Sequence, residues 1–96
     1  MPAYVSLFNF TEQGIRNVKD TAKRAQAVRA AFEKAGGSFI GIWWLLGQYD
    51  CMVISEFPDD VTATHMLLQV GMQGNVRTTT LRAFGEEDIG KIIEGL

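Results

Sequence analysis

Residues 38 to 57 carry two apolar runs of strand length, SFIGIWWLL and YDCMVISEF, that meet at Gly47 and Gln48. So short a junction makes a fold-back the economical connection, and the pair reads as strands two and three of a tight β-hairpin. A lone hairpin is marginal in water and needs further strands with a helical layer over an apolar face. The flanking sequence offers both. AYVSLFNF, residues 3 to 10, sets Val5 and Leu7 against Tyr4, Ser6, Phe8 and Phe10 with a period of two, which predicts a first strand.

Thr11 and Glu12 resemble a helix start, but Gly14 weakens the segment after it, so TEQGIRNVKD is expected to make only a short helical turn. From Asp20 or Thr21 onward, Ala25, Val28, Phe32 and Ala35 recur at helical spacing until Gly36 and Gly37 stop the helix. Pro58, Asp59 and Asp60 open another helix, striped by Ala63, Met66, Leu67 and Val70. VRTTTLRAF then reads as a fourth strand. Glu86, Glu87 and Asp88 put negative charge at the start of a last short helix, striped by Ile89, Ile92, Ile93 and Leu96.

The order predicts an α+β fold: a ferredoxin-like βαββαβ domain with a four-stranded antiparallel sheet, two covering helices and a short C-terminal helix. Residues 1–96 are expected to form a single domain, because a chain of 96 residues has material for one core. The preferred register turns Val5, Leu7, Ile40 and Ile42 toward the helices, with Met52, Ile54, Leu81 and Ala83. It leaves Tyr4, Phe8, Phe39 and Trp43 on the bare face, among Cys51, Val53 and the hydroxyls of Ser6, Ser55, Thr78 and Thr80. A slip of one residue exchanges the two sets. A bare face that mixes aromatics with hydroxyls is too apolar for water, which predicts a dimer contact or a ligand cavity there.

Charge and composition narrow the function. Nine Lys and Arg against eleven Asp and Glu make a net charge of -2, which offers no basic field for a phosphate backbone, so no nucleic acid partner is expected. An RNA-binding reading of the same fold fails also because VRTTTLRAF lacks paired open-face aromatics. The single cysteine, Cys51, has no disulfide partner in the chain and fits a reducing cytoplasm. No export signal and no apolar run of membrane-spanning length is read, so no membrane partner is expected.

LGQYD, with Gly47, Tyr49 and Asp50 around an inserted Gln48, resembles the motif of the GYD family of small bacterial and archaeal proteins. YVSLFNFTEQGIRNVKD and GNVRTTTLRAF extend the resemblance over nearly the whole chain. The resemblance implies a ferredoxin-like fold of the dimeric α/β-barrel group and a dimer. It implies no activity, because the family has no established general function.

Five residues are candidates for a ligand site: Trp43, Tyr49, Asp50, His65 and Arg77. Asp50 is first a turn-fixing carboxylate and second a general base or ligand acceptor at a cavity mouth with Tyr49 beside it. His65 is the only histidine, without Cys, Asp or Glu at metal-ligand spacing, so no metal and no cofactor is expected. Trp43 suits an interface anchor, and Arg77 and Arg82, which flank a Thr-rich strand, could clamp a carboxylate, although such arginines are more often solvated or paired with Glu across an interface. The leading reading is a homo-oligomeric small-molecule-binding or interaction module, a homodimer or higher, with a small organic ligand as candidate partner. The alternative is a cofactor-free enzyme of the dimeric barrel type, an isomerase or oxygenase acting on an aromatic or polyketide-like compound through His65 or Asp50.

Overall fold

Thr11 begins the first helix by accepting the Gly14 N–H on its side chain at 3.1 Å, where β1 (Ala3–Phe10) gives way to α1 (Glu12–Arg16). The computed structural model describes every residue from Met1 to Leu96. After a single 3-10 turn at Val18–Asp20 the chain enters α2 (Thr21–Lys34), so the short-turn reading of this segment holds. Gly36, at φ 89°, ends α2, and the Gly37 N–H donates to the Phe32 carbonyl at 3.0 Å. A side chain at Gly36 would meet the left-handed backbone penalty there. Then follow β2 (Ser38–Trp44), β3 (Cys51–Glu56), α3 (Asp60–Met72), β4 (Val76–Ala83) and α4 (Glu86–Ile93). The strands pair antiparallel in the order β2-β3-β1-β4, the ferredoxin-like arrangement expected of this element order.

The connection between β2 and β3 is longer than a tight turn. Residues 45–50 form it, closed by the Leu45 N–H donating to the Asp50 carbonyl at 2.8 Å. The two apolar runs therefore lose Leu45 and Leu46 to the loop, where Leu46 is fully exposed.

Along β1, β3 and β4 the faces of the sheet are exchanged relative to the expected register. Helices α2 and α3 cover Tyr4, Ser6, Phe8, Phe39, Val53 and Ser55, and these are buried. Val5, Leu7, Met52 and Ile54 are only half-buried, and Leu81 is exposed; they share the uncovered face. Both alternating sets along β1 and β3 are apolar enough for a core, so periodicity cannot choose between them. The choice lies in what packs above the sheet, from α2 and from the segment between β3 and α3. Phe32 and Phe57, neither exposed at all, stack edge to face at 4.9 Å, and around them Tyr4 meets Phe57 at 5.9 Å and Phe39 meets Phe32 at 5.7 Å. Large rings fill the gap between a helix layer and a sheet, and such pairs add about 0.5–1.5 kcal/mol beyond burial. Arg29 of α2 closes the cluster, its guanidinium 4.4 Å above the Phe39 ring.

β2 changes phase midway. A bulge between Phe39 and Gly41 makes Ile40 the unpaired extra residue, after which Gly41 pairs with Ile54, Ile42 with Val53 and Trp43 with Met52. Phe39 and Ile42 thus both face the helices although they are three apart, and Trp43 lies on the bare face as the sequence suggests.

Candidate interaction face and groove

The uncovered side of the sheet is the first functional candidate. Its centre is aliphatic: Val5 and Leu7 on β1 between Met52 and Ile54 on β3 and Leu81 on β4. Trp43 extends it over β2, 47 % exposed, with its indole lying across Gly41 so closely that a Cβ there would come within 2.7 Å of the ring. A flat tryptophan on a glycine makes a smooth apolar surface of the type that anchors interfaces. Only 13 of 96 residues are buried and the molecule is 18 Å through its thinnest dimension, as expected of one sheet with one helical layer. Helix α4 adds no burial of its own: Ile89, Ile92 and Ile93 are between 46 % and 54 % exposed, and Leu96 beyond its end is 101 % exposed.

The Asp50 side chain is tied to β1. Its Oδ2 accepts the Phe10 N–H at 2.8 Å, while its own N–H donates to the Phe8 carbonyl at 2.8 Å. The carboxylate therefore carries the β1–β3 pairing one residue ahead of the start of β3, reaching across to β1 where a turn within the hairpin itself is the expectation. Replacing Asp50 by alanine is expected to lower stability by about 0.5–2 kcal/mol, read as a shift in the urea midpoint. An unchanged midpoint would show that the bond to Phe10 contributes nothing.

The five candidate residues do not converge. Trp43 and Arg77 share the bare face but sit on β2 and β4, the opposite edges of the sheet. His65 is exposed on α3, behind the sheet from Trp43. Tyr49 is half-buried in the 45–50 loop, and its hydroxyl makes no hydrogen bond within the chain. Acidic, histidine and cysteine side chains nowhere gather three or more to hold a metal ion. Cys51 is buried on the covered face, where burial first and the Asp50 charge second push its thiol up to about 11.

A second candidate lies behind the sheet, between α3 and β4. Here Tyr4, Thr78, Thr80 and Arg82 face Asp60 and Thr64 across a groove of about 420 Å³. The Tyr4 hydroxyl donates to Asp60 Oδ1 at 2.5 Å, and Thr80 shares a 2.9 Å hydrogen bond with the buried Ser6 hydroxyl. Sequence reading missed this cluster because Tyr4 and Asp60 are 56 residues apart and meet only through the fold.

Burial, then the hydrogen bond and charge of Asp60, push the Tyr4 phenol up to about 12 from 10.0. A raised folded value means that neutral Tyr4 contributes its full stability below pH 10.0, and that the contribution fades as pH rises toward about 12. In Tyr49→Phe, which leaves Tyr4 as the sole tyrosine, the phenol absorbance should titrate near pH 12. Titration at pH 10.0 would place the hydroxyl in water.

Comparison with known proteins places these features in a family. The family model described as the GYD domain matches residues 4–93. A protein of Thermus thermophilus named glutamine synthetase and cystathionine beta-lyase binding protein is 27% identical over 90 residues, which are 93% of this chain and 95% of that protein. A crystal structure of a protein from the same organism aligns with a TM-score of 0.56 at 21% identity, over 88% of this chain and 95% of that one, a likeness of fold.

Proposed function

Because the chain belongs to the GYD domain family, we propose that it works as a homo-oligomeric binding module without catalysis of its own, pairing two copies through the bare sheet face. The observation that carries this reading is the uncovered aliphatic face centred on Val5, Leu7, Met52 and Ile54 and extended by Trp43. Burying a standard interface of about 800 Å² per partner would remove these side chains from water. This is not the seam expected from the sequence: of Tyr4, Phe8, Phe39 and Trp43, only Trp43 contributes to it.

The name of the Thermus relative supports a role in binding other proteins, as that protein does with two enzymes. The spread of the candidate residues supports a non-catalytic role. An acid or base needs a second polar group within hydrogen-bond reach of a bound substrate, whereas the Asp50 carboxylate is held by Phe10 and His65 stands in solvent. The lone buried thiol of Cys51 supports a reducing compartment such as the cytoplasm. No helix is long and apolar enough to cross a membrane.

Sedimentation equilibrium at micromolar protein tests the assembly. A dimer mass is expected, and a monomer at those concentrations would overturn the reading.

A further inference from the structure

The half of the sheet under α3 is unlike the half under α2. Beneath α2 the covered residues are Phe39, Ile42 and Val53, an ordinary apolar core. Beneath α3 the sheet presents Tyr4, Ser6, Thr78, Thr80 and Arg82, hydroxyls and a guanidinium where packing alone would favour hydrocarbon. Leu67 and Leu68 of α3 form the apolar wall facing them. A groove of about 420 Å³ falls in the size range of small-molecule sites, which combine apolar walls with a few placed polar groups.

Opposite charges stand in this groove without touching. Asp60 Oδ1 takes the Tyr4 hydroxyl, but its Oδ2 makes no hydrogen bond within the chain. Arg82 is anchored by Nη1, which donates to the carbonyls of Ala3 and Ala83, and its guanidinium lies 4.5 Å over the Phe84 ring. Its Nε and Nη2 make no bond within the chain. The only ion pairs of the molecule are Arg16 with Glu12 and Lys91 with Glu87, so Asp60 and Arg82 are not paired with each other. A simple anion in the groove would meet the Asp60 carboxylate, and a simple cation would meet Arg82. Both charges stand about one ring, Asp60 on the Tyr4 hydroxyl and the Arg82 guanidinium 5.8 Å from the Tyr4 ring centroid, so a small ligand carrying both charges, with a hydrocarbon tail, satisfies all three surfaces.

We propose that the groove between α3 and β4 binds a free α-amino acid with an aliphatic or aromatic side chain. Its carboxylate lies on the Arg82 guanidinium, its ammonium on Asp60, and its side chain against Leu67 and Leu68. Thr78 and Thr80 supply further hydroxyls to the carboxylate side, and Tyr4 fixes the rotamer of Asp60. The site lies on the opposite side of the sheet from the proposed dimer face, so it stands whether or not that reading does.

Backbone amide chemical shifts of the isotope-labelled protein, titrated with a panel of L-amino acids led by leucine, test this. Saturable shifts are expected at Tyr4, Asp60, Thr78, Thr80 and Arg82. Two partial ligands, 3-methylbutylamine without the carboxylate and 4-methylpentanoate without the ammonium, should each bind at least about tenfold more weakly, the loss of one charge-assisted contact. Arg82→Gln should reduce leucine binding to the level of the amine, and Asp60→Asn to that of the acid. Should either variant fail to fold, the two partial ligands on the wild-type chain decide alone. No saturable shift with any amino acid, equal binding of either partial ligand, or equal binding of glycerol would each overturn the assignment. Because sedimentation reads the other face, a dimer without amino-acid binding defeats only this proposal.

Discussion

With two copies paired through the bare face as proposed, Ile54→Glu is expected to leave only monomers at micromolar concentration. Ile54 sits on β3 near the middle of the bare face, paired with Val5 on one side and Gly41 on the other. Pressed against a second copy, its carboxylate would be buried without a partner, which costs on the order of 3–5 kcal/mol. That corresponds to roughly two to four powers of ten in dissociation constant. In the free monomer the same carboxylate reaches water, because Ile54 is only half-buried in a single chain, so circular dichroism should be unchanged. Gln69→Glu on the exposed side of α3 adds the same charge behind the sheet and should leave the mass at that of a dimer. A dimeric Ile54→Glu would move the seam to α4 or a strand edge, whereas two monomeric variants would make net charge the cause.

The second large effect is expected in the core. Phe32→Ala should destabilise the fold by about 3–5 kcal/mol, the range for removing a buried ring and leaving a cavity. A chain of this length has a total stability of roughly 5–14 kcal/mol, so about a fifth or more would vanish. Phe32 is unexposed and contacts both Phe57 and Phe39, so no single neighbour can move in to fill the space. Urea unfolding measures this. A loss under about 1 kcal/mol would mean that α2 settles onto the sheet without the ring. A double mutant with Phe57→Ala should be less destabilised than the two single losses added together, because the pair shares one edge-to-face contact.

Reading the chain alone reached the fold because its signals are local. Thr11 and Asp59 mark helix starts that each hold a backbone N–H, Gly36 marks a helix end, and four runs of β-forming residues sit in an order that the ferredoxin-like topology accommodates. The family resemblance is likewise local, carried by Gly47, Tyr49 and Asp50 and the segments around β1 and β4, and the match over residues 4–93 agrees with it.

Side-chain direction is not local, and the expected faces of β1 differ from the observed ones. Tyr4, Ser6 and Phe8 alternate with Val5 and Leu7 as two apolar sets of similar strength, and a period of two carries no label for inside. The label comes from residues far along the chain: Phe32 and Phe57 fill the space above one set, and Asp60 gives the Tyr4 hydroxyl a partner there. The bulge at Ile40 then reverses the phase of β2, which left Trp43 on the bare face for a reason the alternation does not contain. Asp50 was legible as a structural carboxylate, but its partner Phe10 lies on another strand. Arg82 is legible in the sequence as a candidate carboxylate clamp, but its convergence with Tyr4 and Asp60 is not, since the three come from β4, β1 and α3. Periodicity, caps and glycines thus determine which elements form and in what order. Which face each element turns inward, and which charges come to stand opposite one another, is decided only when the helices pack on the sheet, because contacts between distant residues carry the energy that separates two otherwise equal patterns.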